Sequence, residues 1–251
     1  MMQNEFEVKK QMCEIGKRVY DRGMVASNDG NFSVKVAENT YLCTPTGVSK
    51  GFMTPDFICK IDGEGKVLQS TGNFRPSSEI KMHLRIYRER PDVNAVVHAH
   101  PLYATSFAIA GIPLTQPIMP EAVVALGEVP IAEYGTPSTE EIPDAVSKYL
   151  QSYDAVLLEN HGALTFGDSL LNAYHKMESV EFYAQLLYQA RLLGGPKELS
   201  KEQVEKLYQL RRDFGLTGKH PADIVPTISL DGSKEDLIAS ITKRVIEQLG
   251  L

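Results

Sequence analysis

The stretch 93–101 does the most to constrain how this chain can fold. The apolar run Ala95–Val97 is ended by Pro101, which predicts a short buried strand. Side chains two positions apart on a strand share a face, so His98 and His100 are expected to project to the same side. Two imidazoles at that spacing can bind one metal ion, although a catalytic zinc usually takes three protein ligands. For an isolated pair of histidines, hydrogen bonds to backbone carbonyls are the simpler explanation.

A third histidine favours a metal site over that simpler explanation. His161 lies in the segment Glu159-Asn160-His161-Gly162, a glycine-containing turn that follows a second apolar run, Ala155–Leu158. This run also predicts a buried strand. The sequence therefore offers three histidines at the ends of two strands, which is enough to hold a catalytic metal.

Composition excludes several classes of protein. The chain has 251 residues, of which 43% are hydrophobic and 23% charged, as expected for one large domain or for one domain with an appendage. The net charge of −6 argues against a nucleic-acid partner. No apolar run is long enough for a membrane span, and residues 1–10 are too polar for a secretory signal. Three widely spaced cysteines (Cys13, Cys43 and Cys59) match no disulfide framework, so we expect a reducing, cytoplasmic location.

Local patterns predict a mixed α/β layer structure. Early β-hairpins are followed by alternating strands and helices, and no Gly-x-Gly-x-x-Gly follows a strand, which makes a dinucleotide site improbable. Helices are predicted near 4–22, 77–90, 103–110, 121–126, 139–150, 169–193 and 201–212, and a helix start at Thr54-Pro55-Asp56. Strands are predicted near 32–36, 40–43, 58–62, 66–69, 95–97, 129–134, 155–158 and 164–166.

Two loops carry weaker signals for an anion. Backbone N–H groups in the loop Thr44–Gly47 could cradle a phosphate, and Ser77 and Ser78 precede a helix whose N-terminus attracts anions. Each signal has a plainer explanation, because the loop can be a simple turn and a serine can merely cap the helix. On the same grounds Glu79 can be a first-turn acid, and His83 is expected to be packed inside the helix face.

Five segments taken in order resemble the class II aldolase/adducin family, and its bacterial sugar-phosphate aldolases in particular. The resemblance covers residues 4–215 and rests on Gly30-Asn31, Thr46-Gly47, Ser77-Ser78-Glu79, His98-Ala99-His100 and Asn160-His161-Gly162. It implies that Zn2+, or another divalent metal, is held by His98, His100 and His161. It also implies that Glu79 is the acid/base and can contact the metal when no substrate is bound. The implied phosphate-binding residues are Asn31, Thr46, Gly47, Ser77 and Ser78.

The resemblance also implies a fold and a reaction. The fold would be a mixed, largely antiparallel central sheet flanked by helices, assembled as a homotetramer with sites between subunits. The reaction would be metal-dependent retro-aldol cleavage of a deoxyketose 1-phosphate, such as L-fuculose 1-phosphate, to dihydroxyacetone phosphate and L-lactaldehyde. Sugar-phosphate 4-epimerases and methylthioribulose-1-phosphate dehydratases use the same metal site and are alternatives, although the epimerases have aspartate where this chain has Glu79. An adducin-like interaction domain is the non-enzymatic alternative.

Two departures from the aldolase pattern concern the sugar rather than the metal. Phe214 stands before Gly-Leu where the aldolases have a tyrosine. The aldolases have a second tyrosine in the segment after the metal-binding strand, where this chain has Ile118, Met119 and Glu121 instead. Both positions would recognise the aldehyde fragment. Glu121 can be a second acid group, as in the related epimerase and dehydratase branches, or a first-turn helix acid.

The C-terminal segment predicts an appendage to the domain at residues 1–217. A Pro/Gly-containing linker at 218–232 leads into an amphipathic helix at 233–251, whose apolar stripe contains Leu237, Ile241, Val245 and Leu249. This tail resembles the encapsulation peptides that carry enzymes into bacterial microcompartments, which makes a shell or cargo protein a possible partner. The alternative is a helix docked on its own tetramer.

Overall fold

An eight-stranded sheet organises residues 4–224, the part of the chain that the computed structural model describes. The strands are β1 (Asn31–Ala37), β2 (Thr40–Cys43), β3 (Cys59–Asp62), β4 (Val67–Gln69), β5 (Ala95–Ala99), β6 (Ile131–Ala132), β7 (Ala155–Leu158) and β8 (Gly162–Gly167). Their order is β4-β3-β2-β1-β5-β8-β7-β6, and every neighbouring pair is antiparallel except β6 and β7. The predicted mixed, largely antiparallel sheet is confirmed.

Helices cover both faces of this sheet and give three layers. They are α1 (Glu5–Asp21), α2 (Ile80–Glu89), α3 (Leu102–Ile109), α4 (Pro120–Ala125), α5 (Glu141–Ser147), α6 (Leu170–Leu192), α7 (Lys201–Asp213) and α8 (Pro221–Ile224). One apolar core lies between the sheet and helices α1, α3, α4 and α6, and a second lies between the sheet and helices α2 and α5. Strand β5 contributes to both, because Ala95, Val97 and Ala99 face the first core and Val96 faces the second.

Several predicted elements are shorter than expected, each for a local reason. The strand predicted at 129–134 contains only Ile131–Ala132: Pro130 has no N–H to donate to a neighbouring strand, and beyond the strand the Tyr134 N–H donates to the Glu159 carboxylate at 2.8 Å. The helix predicted from Ser77 begins at Ile80, because residues 77–79 form a tighter turn, closed by the hydrogen bond from the Ile80 N–H to the Ser77 carbonyl at 3.3 Å. The start at Thr54 yields only a short 3-10 turn, Pro55–Phe57.

The C-terminal appendage falls only partly within the described residues. Residues of the predicted linker up to 223 pack on the domain: the His220 ring is fully buried, and its Nε2 lies 2.7 Å from the carbonyl oxygen of Val123. Where the domain ends and a linker begins therefore stays a prediction. The amphipathic helix predicted at 233–251 lies outside the described residues. Among the residues that are described, no helix combines the length and the apolar character that a membrane crossing requires.

Candidate metal and phosphate site

The first two histidines lie where strand β5 ends. His98 has no exposed surface, and its Nδ1 donates to the carbonyl oxygen of Ala163 on strand β8 at 3.0 Å. This bond leaves the lone pair of Nε2 for other partners. The His100 ring lies 4.9 Å from the His98 ring between centroids, and the two Nε2 atoms are 3.1 Å apart. The shared face predicted from the strand period is what brings the two rings together.

The third histidine reaches them from the turn between strands β7 and β8. Asn160 adopts the left-handed conformation there, with a φ of 55°, and asparagine tolerates it better than most residues. Gly162 follows, and a Cβ at this position would lie 2.6 Å from both the Ala99 oxygen and a His100 ring carbon. The absence of a side chain therefore allows the turn to close on the rings. One nitrogen from each of the three histidines lies within 4.8 Å of the others.

Two of the three histidines, His98 and His161, are held in the protonation state that metal binding requires. Burial places the pKa of His98 well below its ordinary value, and the neighbouring His100 and His161 lower it further. Burial also lowers the pKa of His161, against the opposing effect of the Glu79 carboxylate. Neutral imidazoles keep the lone pairs that bind a cation. Three imidazoles beside a carboxylate suit a divalent transition metal such as zinc.

Glu79 completes the cluster from the N-terminus of helix α2. Its Oε1 lies 3.3 Å from Nε2 of His161, and its Oε2 lies 3.5 Å from Nε2 of His98. Asn31, which is directly opposite His98 on strand β1, donates from Nδ2 to Oε2 at 2.8 Å. Oε1 has no hydrogen-bond partner among the described residues although it is buried. A buried carboxylate oxygen without a donor is a feature that a bound cation or proton would satisfy.

A cavity of about 250 Å³ adjoins the cluster and contains the predicted phosphate-binding residues. Its two loops are joined by the bridge between Pro45 and Pro76 and by a 2.9 Å hydrogen bond from the Thr46 N–H to the Arg75 carbonyl. Its walls include Glu79, His100 and His161. They also include all five predicted phosphate-binding residues, which are Asn31, Thr46, Gly47, Ser77 and Ser78. The structure thus brings every predicted site residue to one place, with His98 buried behind the wall.

Two charged residues of this cavity were not predicted as site residues. Lys50 lines the cavity with 1% of its surface exposed. Asp29 also lines it, and its Oδ2 lies 3.5 Å from Nδ1 of His100. The only signals in the sequence are their positions beside the Gly30-Asn31 and Thr46-Gly47 segments. A lysine or an aspartate in a loop is ordinarily at the surface, so neither residue stands out.

Other candidates lie away from the cavity. Glu121 is exposed in the first turn of α4 and does not line the cavity within one chain, and Phe214 is 62% exposed after α7. Ile118 and Met119 pack against the core that contains α1 and α6. His83 is buried, as expected, with its Nδ1 2.7 Å from the Ser33 hydroxyl, and burial lowers its pKa to about 3.

The fold and this site are those of an α/β domain that could bind a metal, and comparison with known proteins identifies the family to which the chain belongs. The sequence profile of the class II aldolase and adducin N-terminal domain matches residues 10–188, which is more than half of the chain. The chain belongs to the class II aldolase family. Members of this family use a divalent metal, and the cluster of His98, His100 and His161 could bind one.

Relatives of this chain are named for three different activities. A solved structure of an L-fuculose 1-phosphate aldolase has 32% identity and a TM-score of 0.75, and the match covers 84% of this chain and 97% of that one. A 5-deoxy-D-ribulose 1-phosphate aldolase of Bacillus thuringiensis is 31% identical, over 82% of this chain and 96% of its own. A 3-oxo-tetronate 4-phosphate decarboxylase of Haemophilus influenzae is 32% identical, over 72% and 86%.

Proposed function

We propose that this chain catalyses metal-dependent retro-aldol cleavage of a deoxyketose 1-phosphate such as L-fuculose 1-phosphate. The products would be dihydroxyacetone phosphate and an aldehyde, which for fuculose is L-lactaldehyde. The observation that carries the proposal is the shared cavity, which joins a histidine cluster, an unpaired carboxylate oxygen and two loops rich in hydrogen-bond donors. Two of the relatives reported above are named as aldolases of sugar 1-phosphates, which supports the same reaction.

The metal would be zinc, held by His98, His100 and His161, with Glu79 close enough to contact it. When bound, a divalent cation supplies the positive charge that stabilises negative charge developing at a substrate carbonyl. The bond from His98 to Ala163 and the small size of Gly162 keep the imidazoles in place for this role.

The substrate phosphate would lie between the two loops. Asn31 offers an amide, Thr46, Ser77 and Ser78 offer hydroxyls, and Gly47 offers a backbone N–H. Anchoring the phosphate in these loops would set the distance between the carbonyl end of the sugar and Glu79.

Glu79 would move the proton. Cleavage breaks the bond between carbons 3 and 4, the hydroxyl on carbon 4 loses its proton as the aldehyde forms, and carbon 3 takes one up. As the acid/base, Glu79 would accept the proton of the hydroxyl on carbon 4 and return it to carbon 3, since Asn31 fixes one of its oxygens and leaves the other without a partner. No lysine Schiff base is needed for this chemistry.

Decarboxylation is the second candidate, and the named Haemophilus influenzae relative favours it. Loss of CO2 from a 3-oxo-tetronate 4-phosphate also leaves a carbanion next to a carbonyl, and protonation gives the same dihydroxyacetone phosphate. The two reactions therefore require the same charge stabilisation and the same proton delivery. They differ only in the second product, which is an aldehyde in one case and CO2 in the other.

One product assay separates these reactions. The zinc-loaded protein would be offered the 1-phosphates of fuculose, rhamnulose, ribulose and methylthioribulose, and a 3-oxo-tetronate 4-phosphate, with Glu79→Gln as control. We expect dihydroxyacetone phosphate and aldehyde in equal amounts from at least one deoxyketose 1-phosphate. Equal amounts of dihydroxyacetone phosphate and CO2 from the tetronate alone would replace the aldolase assignment by the decarboxylase. Absence of dihydroxyacetone phosphate from every compound would reject both.

We further propose a cytoplasmic homotetramer with its sites between subunits. Helices α3 and α6 expose large apolar side chains that a subunit contact would cover, among them Leu102 at 66% and Leu192 at 66%. Light scattering should then give four times the chain mass, whereas a monomer would reject this assembly.

The segment 233–251 would carry the enzyme into a bacterial microcompartment. A fluorescent protein fused to it should colocalise with shell proteins, and charged residues at Ile241 and Val245 should abolish this. If deletion of 233–251 instead dissociates the tetramer, the segment is a brace within the assembly.

A further inference from the structure

One buried positive charge at the cavity has no negative partner. Lys50 begins the 3-10 turn Lys50–Phe52, and its Nζ donates to the carbonyl oxygens of Asn28 at 2.9 Å and Val48 at 2.7 Å. Within residues 4–224 no carboxylate oxygen lies within 4.0 Å of this nitrogen, and its third N–H has no acceptor. Lys50 is nevertheless almost fully buried, and it lines the cavity.

A second buried lysine shows how such a charge is ordinarily satisfied. Nζ of Lys176 lies 2.7 Å from a carboxylate oxygen of Asp154 and also donates to the Phe166 carbonyl at 3.0 Å. Buried charges are costly unless they are paired, so Lys176 is the usual case and Lys50 is the exception. Because Lys50 lines a cavity, an anion that binds there would lie near this unpaired charge.

The ammonium form of Lys50 persists at neutral pH. Burial lowers its pKa to about 8, and the nearby Asp29 carboxylate acts in the opposite direction. Asp29 is 43% exposed and lies nearer to His100, so it does not neutralise the charge as Asp154 does for Lys176. The hydroxyls, amide and backbone N–H groups of the cavity can donate hydrogen bonds to an anion but bring no positive charge.

We infer that Lys50 is the counter-charge for the dianionic phosphate monoester that this cavity binds. The inference rests on the phosphate site of the proposed function and adds to it the one cationic side chain that the cavity contains within the described residues. It also narrows the ligand class: a phosphorylated sugar is expected to bind far better than the same sugar without its phosphate. Lys50 joins the Asn28 and Val48 segments as well, so a purely structural role is the competing explanation.

The test compares Lys50→Gln, which keeps N–H donors but removes the charge, with Lys50→Met, which removes both. Lys60→Gln is the matched control, since Lys60 is paired with Glu5 outside the cavity. The probe is inorganic phosphate, titrated calorimetrically into each metal-loaded protein. Both Lys50 variants should bind phosphate about tenfold or more weakly, and the control should bind it as wild type does. With a substrate that turns over, KM should rise similarly while kcat changes little.

Several outcomes would overturn the inference. Phosphate binding by Lys50→Gln at wild-type strength would show that the charge is not used, and the role would be the hydrogen bonds between loops. A wild-type protein that binds no phosphate would overturn it as well. Metal content and thermal midpoint report whether each variant is folded, and where Lys50→Met does not fold, Lys50→Gln decides.

Failure of the inference and failure of the proposed reaction can be told apart. Phosphate binding that depends on Lys50, in a protein that forms no dihydroxyacetone phosphate, would leave the inference standing and reject the reaction. If the protein forms dihydroxyacetone phosphate but its phosphate binding does not depend on Lys50, the reaction would stand and the inference would be rejected.

Discussion

Two clusters of buried polar groups, one at each end of the central strands, differ in whether their members have hydrogen-bond partners. At one end Asp154 accepts from Arg90 at 2.8 Å and from Lys176 at 2.7 Å, and Arg90 also binds Asp92 and the carbonyl of Leu150. At the other end, Asn31 Oδ1, Glu79 Oε1 and His161 Nδ1 are buried without hydrogen-bond partners among the described residues. Among the described residues both oxygens of the Asp154 carboxylate have partners, whereas the three atoms at the second end have none.

This difference separates a structural network from a ligand site. An unsatisfied buried polar group costs about 1–3 kcal/mol, so several together are tolerated where a ligand later supplies the partners. The Asp154 network loses nothing when the protein is empty, whereas the histidine cavity gains interactions only on binding. Substitutions at the Asp154 end should therefore lower stability, and substitutions at the cavity end should lower binding and turnover.

Removing one histidine should have the largest effect. His161→Ala leaves two imidazoles, too few to hold a catalytic metal, so metal content should fall from about one ion per chain to near zero. Turnover should fall by at least about a hundredfold. Elemental analysis after dialysis, alongside the activity assay, measures both. Full activity in a strong chelator after exhaustive dialysis would remove the metal from the account.

The next largest effect on turnover should come from the proton carrier. Glu79→Gln keeps the shape of the side chain but cannot carry a proton, so kcat should fall by about 10²–10⁴-fold. Phosphate affinity should survive, because the loops that hold the anion are unchanged. Wild-type turnover by this variant would show that another group moves the proton, and Glu121 would be tested next.

At the opposite end, Asp154→Ala should lower stability without removing the metal. The substitution leaves Arg90 and Lys176 buried without their shared carboxylate, which should lower the free energy of unfolding by about 3–5 kcal/mol. Denaturant unfolding measures this loss, and metal content serves as the control. Loss of the metal in a variant that remains folded would show that the two ends are not independent.

The smallest effect should come from a single hydroxyl of the phosphate loops. Ser78→Ala removes one donor to the anion and should raise KM about tenfold, with kcat nearly unchanged. Initial rates over a range of substrate concentrations measure the two constants separately. A fall in kcat with constant KM would place Ser78 at the reacting carbons rather than at the phosphate.

Local rules were sufficient for the strands that carry the histidines. The period of two placed His98 and His100 on one face, and the apolar run Ala155–Leu158 located the strand before His161. The same reasoning failed where a single residue conflicts with the pattern. The strand predicted at 129–134 begins only after Pro130 and contains Ile131–Ala132.

The cavity itself could not be obtained from local rules. Each loop proposed to bind phosphate had only a weak local signal, and the resemblance to a family combined them, because the loops meet through long-range contacts such as the bridge between Pro45 and Pro76. Lys50 was missed for a related reason, since its burial depends on the packing of loops distant in sequence and not on its neighbours. Phe214 and Glu121, which the resemblance places near the aldehyde fragment, are exposed and do not line the cavity of one chain.

A crystal structure of the protein with zinc and inorganic phosphate tests the central claim most directly, namely that the unsatisfied end of the sheet is completed by a ligand. We predict a zinc anomalous signal at about 2.0–2.1 Å from a nitrogen of each of His98, His100 and His161. Phosphate should bind between the Thr46 and Ser78 loops. Zinc bound elsewhere, with the cavity empty of both ions and Oε1 of Glu79 still without a partner, would contradict the account.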